Sequence, residues 1–218
     1  MKVIVIGPNR YAEWISKDIE FVYCTPSDIA DADLIVFTGG ADVDPNIYGH
    51  KEHRTTSKDT SRDLRELNFF AIAASLNKPM LGICRGAQFL TACQPGGYLI
   101  QDVQNHANGN HGLKFKDGFE TEITSTHHQM MYPFEVNNYE VLAYANKNLS
   151  NSYAFGDFSR LFLPGNKEPE VVYYPDTNCF AIQGHPENMP IGHPVLEKLR
   201  SLINIKLFNE KNSSLRVS

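Results

Sequence analysis

The sequence holds one tryptophan and only four cysteines in 218 residues, and no two cysteines stand at C-x-x-C spacing. A disulfide framework is therefore not expected, and the cysteines read as free thiols of a reducing compartment. Long apolar runs are missing too, so no transmembrane helix is expected. The apolar run near the start, Val3-Ile4-Val5-Ile6, is too short for a secretory leader. A soluble, cytoplasmic protein is the expectation. There is no basic excess: the formal charge is −5 and Lys and Arg form no stripe, so nucleic acid is not an expected ligand. Internal repeats and low-complexity linkers are absent, which favours a single domain over residues 1–208 with a polar, frayed tail at 209–218.

Hydrophobic residues make up 42% of the chain, enough for a sizeable core. Short β-branched runs at 2–6, 34–37 and 79–83 end at glycine or just before a Gly-rich turn and read as buried strands. Between the last two, Leu64, Leu67, Phe70, Ala71 and Ala74 recur at helical spacing, predicting a helix over 61–77 capped by Ser61. Strands alternating with amphipathic helices imply an open, mostly parallel sheet with helices on both faces. In the second half, 119–123, 139–145, 170–174 and 180–182 read as extra strands, antiparallel to their neighbours, and 195–205 as a closing helix. Cys24, Cys93 and Cys179 fit small core positions. Two polar loops, 42–60 and 104–118, are long enough to be functional, or are ordinary solvated loops.

The stretch Gly82-Ile83-Cys84-Arg85-Gly86-Ala87-Gln88 places a cysteine between two glycines, after a strand and before an apolar helix expected over 85–93. This is the pattern of a nucleophile on a sharp strand-to-helix turn, where glycines remove crowding Cβ atoms. The helix N-terminus behind the sulfur favours thiolate, and the Arg85 amide can donate to a developing oxyanion. A base is still required. His185-Pro186-Glu187 follows the strand expected at 180–182. The carboxyl ends of parallel strands share one edge, where Cys84 and His185 could meet, with Glu187 holding the imidazole tautomer. A surface His-Pro-Glu turn is the alternative reading. Among the eight histidines, His106, His111, His127 and His128 could converge, but none has H-E-x-x-H or zinc-ribbon spacing. No metal and no cofactor are therefore expected. Arg85, beside the nucleophile, is expected to pair with a nearby acidic residue.

With these residues in view, the chain resembles the class I glutamine amidotransferase superfamily, and most closely its γ-glutamyl-γ-aminobutyrate hydrolase, or peptidase C26, branch. The matching pieces stand in order: the Gly39–Gly49 stretch GGADVDPNIYG, Ser61-Arg62-Asp63, GICRGAQ, GGYLIQDV at 96–103, His127-His128-Gln129 and QGHPE at 183–187. They span roughly residues 34–190. The resemblance implies a flavodoxin-like sheet, Cys84 as nucleophile, His185 as base and Glu187 as its partner. It implies the Gly40 and Arg85 backbone amides as oxyanion donors, and Gln88, His127, His128 and Gln129 as substrate-binding residues. It further implies hydrolysis of a γ-glutamyl amide through a γ-glutamyl thioester, releasing glutamate and an amine or ammonia.

Two departures stand out. Gly184 replaces the aromatic residue that usually precedes His-Pro-Glu, and Pro164-Gly165-Asn166-Lys167-Glu168-Pro169-Glu170 replaces the usual stretch before the last strands. A free-standing hydrolase and a glutaminase subunit feeding ammonia to a separate ATP-dependent synthetase both fit. A synthetase would be another polypeptide, since no P-loop or fused ATP-binding segment is present. A silent binding module is disfavoured by the intact Cys84, His185 and Glu187. A homodimer is compatible with all three.

Overall fold

The computed structural model describes residues 1–22 and 25–209 of the chain. Cys24 and the tail beyond 209 lie outside the described residues. Thirteen strands occur among those described. In chain order they are β1 (Lys2–Ile6), β2 (Glu20–Val22), β3 (Leu34–Phe37), β4 (Met80–Ile83), β5 (Tyr98–Ile100), β6 (Asn110–Phe115) and β7 (Glu120–Thr124). Then follow β8 (Met130–Tyr132), β9 (Glu140–Ala145), β10 (Tyr153–Phe155), β11 (Phe158–Arg160), β12 (Pro169–Tyr174) and β13 (Cys179–Ile182). The α-helices are α1 (Arg10–Glu13), α2 (Thr60–Ser75), α3 (Arg85–Ala92) and α4 (Pro194–Ile203).

Nine strands form one open sheet in the order β2-β1-β3-β4-β13-β12-β9-β6-β7. The first five are parallel, and their order is the doubly wound, flavodoxin-like one. The remaining four add on antiparallel. Alternation along each buried strand feeds two cores. Val3, Val5, Leu34, Val36, Leu81 and Ile83 pack on one face with α1 and α4. Ile4, Ile6, Ile35, Phe37 and Met80 pack on the other with α2 and α3. A third cluster joins β5, β8 and β10 around Tyr132 and Phe155. No described helix is long and apolar enough to cross a membrane.

The structure differs from the sequence reading in several details, the unread short strands β2, β5, β8, β10 and β11 among them. Helix α2 is capped by Asp59, whose side chain accepts from the Arg62 amide, rather than by Ser61. Its buried positions are Asp63, Glu66, Phe69 and Ala73, while Leu64 is 64% exposed. Of the expected stripe, Leu67, Phe70 and Ala74 pack partly buried against the core, while the most buried face carries two carboxylates held against Arg85. The 104–118 loop is in good part strand β6, which donates His111 to the interior of the sheet's antiparallel half. Cys179 is fully buried and Cys93 partly so, and Cys84, Cys93 and Cys179 are free.

Candidate active site

Strand β4 runs straight into Cys84, which turns the chain into α3 with φ 53° and ψ −111°. A cysteine tolerates positive φ poorly, so the surroundings must hold it there. The Cys84 amide donates to Ile182 O at 2.8 Å, and Gln88 N donates back to Cys84 O at 3.1 Å. The flanking glycines are sterically required. A Cβ on Gly82 would meet Gly86 O at 2.5 Å, and one on Gly86 would meet Phe37 O at 2.0 Å.

Strand β13 lies beside β4 in register, Ile182 opposite Ile83, so the residues that follow each emerge at one edge. There the structure brings His185 to Cys84. The His185 Nδ1–H donates to Glu187 Oε1 at 2.7 Å across the stiff Pro186. Its Nε2 lies 2.8 Å from Thr126 Oγ1. Burial works against the imidazolium, but hydrogen bonds and charges of Cys84 and Glu187 outweigh it and push His185 up to about 10. Tyr11 closes this corner, its ring centroid 6.3 Å from that of His185. Burial, with the charges of Glu187 and Cys84, raises the Tyr11 hydroxyl, which stays protonated.

On the other side of β4, strand β3 pairs Phe37 with Gly82, which sets Gly39 and Gly40 level with the nucleophile. Arg62 fixes this turn. It donates from Nη1 to Gly39 O and from Nη2 to Thr38 O, both at 3.0 Å, while its Nε holds Glu66 at 2.6 Å. A trans peptide points its C=O and N–H in opposite directions. With Gly39 O turned to Arg62, the Gly40 N–H faces away from the guanidinium. Gly40 has φ 150°, and a Cβ there would sit 2.2 Å from Arg62 Nη1. Gly40→Ala is expected to displace that amide and lower turnover by about 10²–10³-fold. A steady-state assay that finds wild-type kcat in a folded Gly40→Ala protein would remove the amide from the reaction.

The side chain of Arg85 turns away from the sulfur. It is buried and pairs with Asp63 and Glu66, as the sequence led us to expect of a cation beside the nucleophile. Its ring partner is Phe89, 5.0 Å away. The Arg85 amide stands at the N-terminus of α3, directly after Cys84.

The four expected substrate residues divide. Gln88 Nε2 donates to Gln129 O at 2.8 Å, and His127 Nδ1 donates to the same oxygen at 2.8 Å. Gln129 is thus fixed through its backbone beside α3, and its Nε2 reaches Thr56 Oγ1 at 3.3 Å. His127 is buried with its other nitrogen toward His106 and His111. His128 is half-exposed and ties two loops, 3.0 Å from Asp42 Oδ1 and 3.7 Å from Asp102 Oδ1. Sequence reasoning missed Thr126, Tyr11 and Arg62 as neighbours of the site. Thr126 adjoins the His127-His128-Gln129 stretch, which was its one available signal.

A Cβ on Gly184 would lie 2.9 Å from three carbons of Ile123, so the aromatic residue usual at this place has no room.

The model of the peptidase C26 family matches residues 24–153, more than half of the chain. The chain belongs to the peptidase C26 family. That match covers Gly40, Cys84 and Gln129, while His185 and Glu187 follow it. A putative glutamine amidotransferase-like protein, YvdE, of Lactococcus lactis is 32% identical over 167 residues. The alignment takes in 71% of this chain and 66% of that relative's length. Among solved structures, a putative GMP synthase component from Thermoplasma acidophilum superposes with a TM-score of 0.60, at 17% identity and 98% coverage of both chains. A glutamine amidotransferase from Thermotoga maritima gives 0.57 at 12% identity, covering 100% of this chain and 85% of that one. These likenesses carry the fold. Peptidase C26 membership and the shared fold place the chain in the class I glutamine amidotransferase-like superfamily.

Proposed function

We propose that this C26 member hydrolyses a γ-glutamyl amide through a thioester on Cys84, with His185 and Glu187 completing the triad. The observation that carries this reading is Cys84 at positive φ on a strand-to-helix turn, against a histidine oriented by Glu187 at 2.7 Å. The Cys84 thiolate attacks the γ-carbonyl carbon, and the carbonyl electrons move onto oxygen, where the Gly40 and Arg85 amides receive them. The C–N bond then breaks as the His185 imidazolium protonates the departing amine or ammonia. Water attacks the thioester and gives its proton to His185. The C–S bond breaks, and glutamate leaves with the thiolate restored. In this reading Gln88, His127, His128 and Gln129 hold the γ-glutamyl group, largely through the Gln129 backbone, which Gln88 and His127 fix. The chemistry needs a reduced thiol, which suits the cytoplasm.

The test offers purified protein L-glutamine, γ-glutamyl-γ-aminobutyrate and other γ-glutamyl amides. Glutamate is assayed together with ammonia or the freed amine. Turnover of an amine conjugate above glutamine supports the free-standing hydrolase. A second reading, the glutaminase component of a larger synthetase, draws on the likeness to the putative GMP synthase component. It predicts slow glutamine turnover, with no amine preference, until a synthetase is added. No turnover under either regime would sink both.

The raised His185 sets the pH profile. The imidazolium is needed to protonate the leaving group, so its contribution to kcat/KM holds through neutral pH and falls as pH rises through about 10. The sign for stability is the same. The group binds its proton more tightly folded than at its ordinary 6.5. Its stabilisation is complete below that value and is lost as pH climbs through about 10. A basic limb centred at 6.5 would mean that Cys84 and Glu187 do not hold the charged form.

A further inference from the structure

Behind the 124–129 loop, three histidines and one glutamate meet in the interior. His106 precedes β6, His111 lies on it, His127 follows β7, and Glu170 lies on β12. One donor atom from each falls within 4.8 Å of all the others. His106 and Glu170 are 1% exposed and His127 3%, and the His111 side chain is 7% exposed. Among the described residues no hydrogen bond of good geometry reaches His106 Nδ1, His111 Nε2, His127 Nε2 or either Glu170 oxygen, although His111 Nε2 forms an ion pair with Glu170 Oε1. Five such atoms in one place carry a large desolvation cost, because buried polar groups are almost always satisfied.

The far sides of the same rings are all satisfied. His106 Nε2 lies 3.1 Å from Glu168 Oε2. His111 Nδ1 faces Gly112 O at 3.2 Å, and His127 Nδ1 donates to Gln129 O at 2.8 Å. Protons on those outer nitrogens leave three lone pairs directed at the Glu170 carboxylate. Ring orientation by a carboxylate or carbonyl on the far nitrogen is the arrangement found around metal-bound histidine. Glu168 is itself held by the Leu149 and Ser150 amides at 2.9 Å and by the Tyr153 hydroxyl at 2.9 Å. His111 Nε2 and His106 Nδ1 stand 3.2 and 3.7 Å from Glu170 Oε1. A tetrahedral zinc site, with bonds near 2.0–2.1 Å, spaces its donors about 3.4 Å apart. The two observed distances bracket that value, and the wider pairs close by side-chain rotation.

We propose that His106, His111, His127 and Glu170 form a four-coordinate site for a divalent transition metal, of which zinc fits the N₃O donor set best. Four protein donors close the coordination sphere, so the metal is structural rather than catalytic. It would join β6, β12 and the loop that carries Thr126 to His185 and the Gln129 carbonyl to Gln88. No local spacing signals it, because two donors lie on strands far apart in the chain, β6 and β12, and the other two in the loops beside β6 and β7.

The test uses full-length protein stripped by a chelator and titrated with Zn²⁺ and, separately, Co²⁺. The expected results are one metal per chain by elemental analysis, the visible absorption of four-coordinate Co²⁺ and a higher melting temperature with Zn²⁺. His111→Gln and Glu170→Gln, which keep volume, should retain the circular dichroism of the fold and weaken binding by at least about 100-fold, the upper range for losing a mere outer partner. His193→Gln should bind as the parent does. Should either designed variant fail to fold, the Co²⁺ spectrum of the parent protein decides alone. Featureless Co²⁺ absorption, with no Zn²⁺-dependent melting shift, would overturn the proposal and leave a buried network of histidines and carboxylates sharing protons. Undiminished binding in both folded variants would overturn it too, by placing the metal elsewhere.

Discussion

Cys84→Ser is expected to keep less than about one ten-thousandth of wild-type turnover on whichever γ-glutamyl amide the protein prefers, since a displaced nucleophile disables the whole triad. The serine fits the strained turn sterically. Its hydroxyl ionises far less readily than a thiol and forms no thioester. His185→Ala should cost about as much, and the double variant no more than either alone, because the residues act as a unit. Glu187→Gln leaves the ring held but disfavours its charged form, so its loss should be smaller and its basic limb should move toward neutral pH. The measurement is kcat/KM across pH for the four variants. Cys84→Ser within tenfold of wild type would take Cys84 out of the chemistry. Additive losses in the double variant would mean that Cys84 and His185 serve separate steps.

The second large effect concerns folding. Arg85 is fully buried and neutralises Asp63 and Glu66 from α2, with only Arg62 left to share Glu66. Burial already pushes the Asp63 carboxyl up against the pull of Arg85. Arg85→Met strands Asp63 and leaves Glu66 to Arg62 alone, and should destabilise the protein by about 3–5 kcal/mol. For a chain of this size that lowers the melting temperature by roughly 6–20 °C. Adding Asp63→Asn and Glu66→Gln should restore most of the loss, because the penalty lies in the unpaired charges. Arg85→Lys keeps the charge and forfeits the two-pronged geometry, so it should fall between. Urea melts of the four proteins decide the matter. Arg85→Met within about 1 kcal/mol of wild type would show that α2 releases its carboxylates to water at little cost.

What was legible followed from local rules. The strand-to-helix turn at Cys84 could be read because Gly82 and Gly86 each answer a steric demand within five residues. The inner parallel strands could be read because burial on both faces makes them uniformly apolar, whereas the edge strand β2, short and largely exposed, could not. Helix α2 was located, and part of its inner face with it, but not its most buried positions. Periodicity counts Asp63 and Glu66 as outward residues, and only the position of Arg85 in space reverses that. Strand β6 was hidden for a related reason: its start is polar, with Asn110 exposed and His111 facing Glu170 rather than apolar packing. Thr126, Tyr11 and Arg62 reach the site across other strands. The convergence of His106, His111 and His127, with His128 turned instead to Asp42, depends on pairings that no spacing encodes.

The bond from Cys84 N to Ile182 O joins parts of the chain made about a hundred residues apart. At a synthesis rate of about 5–20 residues per second, Cys84 leaves the ribosome several seconds before the strand that anchors it exists. Until β13 slots in beside β4, the turn has no Ile182 carbonyl to hold its positive φ, and His185 has not been made. The strained turn and its neighbouring imidazole therefore come into being only when nearly the whole sheet has been laid down.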